Sequence, residues 1–169
     1  MVVDVKLDDL ARRSLTYPEV GATAGTLPDG YHHVRASAVI GTGRDRFERA
    51  GESVLRWGMQ RGAGLRVQAT TEAAAVGTEL LVRIGPIQAP CRVVYVLDEP
   101  DRRGFAYGTL TGHPESGEEL FAVRYDPATE AVYAEVSAFS RPGTWWSRLG
   151  GPVARPVQKM VTRRYLTGL

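Results

Sequence analysis

The sequence predicts an α+β fold, a curved antiparallel sheet of about seven strands wrapped on a long C-terminal helix with an internal pocket between them. Three observations carry this. Between Leu65 and Phe139, short runs rich in β-branched and aromatic residues recur, separated by turns of Gly, Pro or Asp. One further run of this kind precedes them, at 31–40. Residues 153–167 then show helical spacing and form the one element long enough to lie across a sheet.

Taken in order, residues 4–14 read as a short helix, with Asp4 as N-cap and Val5, Leu7, Leu10 and Leu15 roughly on one side. Tyr17-Pro18 ends it, because the residue before proline avoids the helical region. GATAGTLPDG is loop, closed by a Pro-Asp-Gly turn at 28–30. Residues 31–40 form the first strand. Adjacent His32 and His33 then point to opposite faces and cannot act as a pair. Gly41-Thr42-Gly43 turns the chain into a helix over 43–60, with Phe47, Ala50, Val54, Leu55, Trp57 and Met59 as its apolar stripe. GTGRDRF lacks the third glycine and the Lys-Ser/Thr of phosphate cradles, so it reads as a strand-to-helix turn.

The sheet continues at 65–69, 77–84, 91–97, 104–110, 118–125 and 131–139. Tight connections make successive strands antiparallel neighbours. Thr144–Leu149 reads as a helical turn carrying Trp145 and Trp146. In the terminal helix Val153, Val157, Met160, Val161 and Leu166 fall on the apolar side. Pro156 suits the first turn and otherwise kinks the helix.

A chain of 169 residues with 43% hydrophobic content fits one domain with a sizeable core. Twenty-one basic against nineteen acidic residues are too balanced for a dedicated nucleic-acid binder. No Asp or Glu follows Glu135, however, while Arg141, Arg148, Arg155, Lys159, Arg163 and Arg164 do. These cations are either a solvated face suited to the helix dipole or a surface for an anionic ligand or membrane. Cys91 stands alone, so no intrachain disulfide forms, and no Cys/His spacing points to zinc. The N-terminus does not read as a signal peptide and no window reads as a transmembrane helix, so a cytoplasmic protein is expected. Composition sets no oligomeric state.

Candidate chemistry gathers in Gly104–Phe121 (GFAYGTLTGHPESGEELF), where His113, Glu115, Glu118 and Glu119 crowd around a turn. A histidine there titrates near neutral pH, and a glutamate within reach orients its ring, leaving the other nitrogen as acid or base. Glu118 and Glu119 are consecutive, so at most one faces the pocket. The same residues also make ordinary turn chemistry, pinning a hairpin. Tyr107 shares a face with Phe105 and Thr109, and Tyr95 with Val93 and Leu97. Either phenol could hydrogen-bond a ligand or a structural partner. Arg92 and Arg141 are exposed cations or ligand-carboxylate anchors. Trp57, Phe105 and Trp145 are core or pocket lining. Cys91 is packing.

The chain also resembles the DUF1990 (UPF0548) family along most of its length. The resemblance is carried by Tyr17-Pro18-Glu19-Val20-Gly21-Ala22-Thr23, Gly30-Tyr31, Ile40-Gly41-Thr42-Gly43, Cys91–Val96 and Asp98-Glu99-Pro100. It continues through Gly104–Leu110, Gly112–Glu119 and Ala138–Pro142, and ends on Pro152, Arg155, Pro156 and Gln158. Thr111 departs from the proline expected before Gly-His-Pro. The family's order of elements is similar to the helix-grip fold of START and Bet v 1-like (SRPBCC) proteins. Those bind lipids, hormones and polyketides, and some act as cyclases, aromatases or hydrolases. The resemblance thus implies a pocket for a small hydrophobic or aromatic molecule. No cofactor and no metal are expected.

Three readings follow. The first is a cofactor-independent cyclase, dehydratase or isomerase of polyketide-like metabolites, with acid–base work at His113, Glu118 or Glu119, and Tyr107, and ligand contacts from Tyr95, Arg92, Arg141, Trp57, Phe105 and Trp145. The second is a non-catalytic carrier or sensor with the same pocket. The third is an interaction module using the basic terminal helix.

Overall fold

The structure, a computed structural model, describes residues 4–143 and 151–169, the side chains of 151–155 excepted. Its elements are β1 (His32–Thr42), α1 (Arg44–Leu55), α2 (Gly58–Gly62), β2 (Arg66–Ala69), β3 (Glu79–Ile84), β4 (Ile87–Glu99), β5 (Arg102–Thr109), β6 (Glu115–Tyr125), β7 (Ala131–Pro142) and α3 (Gly151–Thr167). Seven strands form one antiparallel sheet in the order β1-β7-β6-β5-β4-β3-β2. From β2 to β7 each strand pairs with the next in sequence. β1 joins last, on the free edge of β7. The expected sheet-on-helix arrangement is present.

The sheet has two unlike faces. Its inner face carries Leu80, Val82, Cys91, Val93, Phe105, Tyr107, Phe121 and Val123, packed against Phe47, Ala50 and Val54 of α1 and Tyr165 and Leu166 of α3. Aromatic edges lock this layer. Trp57 meets Phe105 at 5.1 Å between centroids, and Tyr165 meets Phe121 at 5.0 Å, both T-shaped. Its outer face is covered in part by the N-terminal segment. Leu10 packs on Leu81 and Leu110, while Tyr17 and Leu27 pack on Phe139.

Several local expectations need correction. Residues 4–14 are not an α-helix but a single 3-10 segment, Leu7–Arg12. Asp4 caps nothing; it accepts from Gln88 Nε2 at 2.6 Å, tying the terminus to β4. The helix expected over 43–60 breaks at Trp57, whose φ of 67° is left-handed. That turn swings the buried indole onto Phe105, and burial outweighs the cost of the conformation. β6 starts at Glu115 rather than Glu118, because the turn at Gly112 (φ 96°) is tight enough for pairing to resume at once. β4 starts at Ile87 for the same kind of reason.

α3 is rotated relative to the expectation. It buries Thr162, Tyr165 and Leu166, and leaves Val157 and Met160 outside. The Tyr165–Phe121 contact fixes this facing, since a bulky ring gains more from the core than Met160 would lose. Pro156 lies beyond the first turn, where it has no N–H to give the carbonyl of Pro152. The expected turn at Thr144–Leu149, with Trp145 and Trp146, lies outside the described residues.

Candidate functional site

Strand alternation along β6 divides the acidic residues between the faces. Glu118 points outward. It is 3% exposed, yet makes no ion pair among the described residues. Four donors from the N-terminal segment converge on it instead. Tyr17 Oη donates at 2.6 Å, Gly21 N at 2.7 Å, Thr23 N at 3.1 Å, and Thr23 Oγ1 adds the fourth. Because Thr23 Oγ1 gives its proton to Glu118, it accepts one from Tyr95 Oη, 2.7 Å away. Glu118 is the clamp that holds residues 14–27 on the sheet.

Glu119 points inward, directly opposite Tyr107 in the β5–β6 register. The Tyr107 hydroxyl lies 3.4 Å from one carboxylate oxygen, and Tyr165 and Cys91 adjoin the pair. Desolvation, helped by the negative charge of Glu115, pushes the Glu119 pKa up to about 8. The group is therefore mainly protonated at neutral pH. Burial also pushes up the phenols of Tyr107 and Tyr165 and the Cys91 thiol, so all three keep their protons.

Beside Glu119 lies a cavity of about 40 Å³, lined in part by Tyr107, His113, Glu115, Ala138, Ser140 and Gln158. It has room for about one water-sized group. His113 enters it from the β5–β6 turn, where its N–H donates to Leu110 O at 3.0 Å. Its Nδ1 accepts from the N–H of Glu115 at 2.9 Å, which leaves the ring hydrogen on Nε2. Desolvation lowers the His113 pKa to about 4. The ring is thus a neutral donor through Nε2–H, not a general base. Burial raises the Glu115 pKa, while the Ser140 hydroxyl beside it works the other way.

Of the expected catalytic residues, the structure brings together His113, Glu119 and Tyr107 and sets Glu118 on the opposite face. Tyr95 is also on the outer face. A bulge between Val93 and Tyr95 breaks the alternation, so Val93 faces the core while Tyr95 and Leu97 share the other side. Arg92 is outward too. It pairs with Glu79 at 2.8 Å and donates to the carbonyls of Leu10 and Arg13, tying down the N-terminal segment. Arg141 lies over the Tyr31 ring at 4.7 Å, exposed on the outer face. Trp57 and Phe105 are packed in the core at the far end of the aromatic cluster. Trp145 lies outside the described residues.

Sequence reasoning named Glu115 in the turn cluster without giving it a role, and missed Tyr165, Gln158 and the Tyr17–Thr23 clamp. Glu115 had a signal, since it shares parity with Glu119 once the strand is extended to the turn. Tyr165 and Gln158 come from α3, whose rotation the apolar stripe did not specify. Among the described residues no group of three His, Cys, Asp or Glu side chains is arranged to hold a metal ion.

Structural comparison finds similar folds at low identity. A crystal structure of a hypothetical protein from Helicobacter pylori matches with a TM-score of 0.64 at 6% identity, covering 99% of this chain and 96% of that one. A norcoclaurine synthase point mutant from Thalictrum flavum, in complex with a transition-state analogue, matches at TM-score 0.54 and 12% identity, over 83% and 95% of the two chains. A major latex-like protein of Panax ginseng matches at 0.51 and 15%, over 82% and 98%. At these identities the likeness establishes the helix-grip α+β fold and nothing about activity. In sequence, a UPF0548 protein of Deinococcus radiodurans is 37% identical over 170 aligned positions, 89% of this chain and 83% of the relative. One from Arabidopsis thaliana is 29% identical over 147, covering 80% and 70%. The profile described as "Domain of unknown function (DUF1990)" matches residues 16–168, and the chain belongs to this family.

Proposed function

We propose that the chain binds a small hydrophobic or aromatic molecule between α3 and the inner face of the sheet, and acts on it by cofactor-independent acid–base catalysis. The observation that carries this reading is Glu119. A carboxyl on the core side of a sheet, protonated at neutral pH and opening on a cavity with His113 and Glu115, is a proton donor held ready. A structural carboxyl would be compensated as Glu118 is, by a full set of donors.

The roles divide by chemistry. Glu119 protonates a leaving hydroxyl or a carbonyl oxygen. Tyr107 orients the Glu119 carboxyl, and His113 polarises the same oxygen through Nε2–H. Glu115 takes the proton released from carbon. This set fits a dehydratase, cyclase or isomerase step and requires no redox partner. A cavity of about 40 Å³ admits only the polar head of a ligand. Drug-sized molecules need several hundred Å³, so the apolar body displaces side chains between α3 and the sheet.

Native mass spectrometry of the purified protein tests this. A copurifying small molecule is expected, and is expected to be lost from Ala138→Phe, which fills the cavity. A Glu119→Gln variant should retain the unconverted substrate, which is heavier by one water if the step is a dehydration and differs in chromatographic retention and fragmentation if it is an isomerisation or cyclisation. Retention by Glu119→Gln of the same compound, identical in mass, chromatographic retention and fragmentation, supports a carrier instead. Retention by Ala138→Phe removes this site from consideration.

A further inference from the structure

The outer face of α3 is unlike the rest of the surface. Val157 is 43% exposed and Met160 45%, two of the few large hydrophobic side chains left so open among the described residues. Pro156, Met160 and Thr167 follow one another at helical spacing along the middle of this face, and an open groove runs between them and the cations. Pro156 and Met160 are the apolar members of this row; Lys159 and Arg163 flank it on one side, and Arg164 on the other. No carboxylate lies on the helix to pair with them, since the sequence has no Asp or Glu after Glu135. At the C-terminal end the backbone of α2 packs closely on that of Gly168, and α2 adds the exposed cation Arg61.

We propose that this face docks on an anionic membrane surface. An apolar row between flanking cations matches a bilayer interface, where side chains such as Met160 enter the acyl boundary and Lys and Arg reach the headgroups. Nucleic acid fits less well. It would use the cations but gives exposed Val157 and Met160 nothing to pack on, and among the described residues no aromatic ring lies on this face to stack a base. The helix lies flat rather than crossing, as no described helix is long and apolar enough to span a bilayer. The surface is independent of the Glu119 site, which faces the other side of α3.

Co-sedimentation with large unilamellar vesicles tests the proposal. Wild type is expected to bind phosphatidylcholine vesicles containing about one-third phosphatidylglycerol, and not pure phosphatidylcholine. Added salt should weaken binding as screening sets in. Each unit of charge is expected to matter about fivefold, so Lys159→Gln loses about fivefold and Lys159→Glu/Arg163→Glu loses several hundredfold. All these side chains are exposed, so thermal melts of the variants should overlay wild type. Met160→Ser separates the occupants: it weakens vesicle binding but leaves binding to a polyanion such as heparin unchanged. Equal binding to neutral and anionic vesicles, no binding at low salt, or vesicle binding unaffected by Met160→Ser overturns the proposal.

Discussion

Replacing Glu118 with alanine is expected to destabilise the protein by about 3–5 kcal/mol, with most of the damage local. The side chain is buried and accepts from Tyr17, Gly21 and twice from Thr23. A hydrogen bond to a charged group contributes roughly 1.5–3 kcal/mol, so four would sum to about 6–12. The real loss is smaller, because residues 14–27 can lift off and return their donors to water. The upper limit is then the docking energy of that segment, of the order seen when one partner of a buried polar set is removed. Urea denaturation gives the global figure, and at this chain length about 4 kcal/mol lowers the melting temperature by about 10 °C. Hydrogen exchange gives the location: the amides of Gly21 and Thr23 should lose protection while those of the β6–β7 ladder keep theirs. A loss below about 1 kcal/mol, with Gly21 and Thr23 still protected, would refute the clamp.

Glu119 makes stability depend on pH in the unusual direction. Its folded pKa of about 8 exceeds the ordinary value of 4.5, so the folded state binds the extra proton between those values and stability falls as pH rises through that window. The full gap amounts to roughly 4–5 kcal/mol at most. Glu119→Gln should abolish the fall and be more stable than wild type at pH 8 in urea melts; equal slopes would count against the assignment. His113 acts oppositely. With a folded pKa of about 4 against 6.5, it removes stability as pH drops through that range, and nitrogen-15 NMR should find Nε2 protonated and Nδ1 bare at pH 5.5. A titration midpoint near 6.5 would contradict the desolvated neutral ring. Gly108→Ala should cost about 1–3 kcal/mol, because its new methyl group meets the Tyr17 ring and pushes it off Glu118. Crystallography of that variant should show Tyr17 displaced, and an undisturbed Tyr17 would refute the argument.

Much of the fold was legible because strand alternation and turn residues are local signals. β6 is an example: parity alone separated Glu118 from Glu119. Parity could not say which face was which, since that depends on where α3 and the N-terminal segment pack. The same rule failed at Tyr95 because one extra residue between Val93 and Tyr95 reverses the count, and no composition cue marks such a bulge in CRVVYVL. The clamp was visible as the segment Tyr17–Thr23 but not as a function, since its acceptor lies 95–101 residues away in sequence. His113 was found, but its role was not. An acceptor bond on Nδ1 from a backbone N–H two residues on turns a prospective base into a donor.

The place of β1 on the outer edge of β7 has a consequence for synthesis. His32 pairs with Ser140 and Thr42 with Ala131, so a strand made early finds its partner only after most of the chain has been translated. The Glu118 clamp imposes the same wait on the residues before it. The meander from β2 to β7 can zip by near-neighbour steps, while β1 must close a long loop, the slow kind of contact. Until then β1 carries an unpaired edge beside Val34, Val39 and Ile40. A nascent chain stalled before β7 is therefore the form most exposed to misassociation, and the one a holding chaperone would be expected to grip.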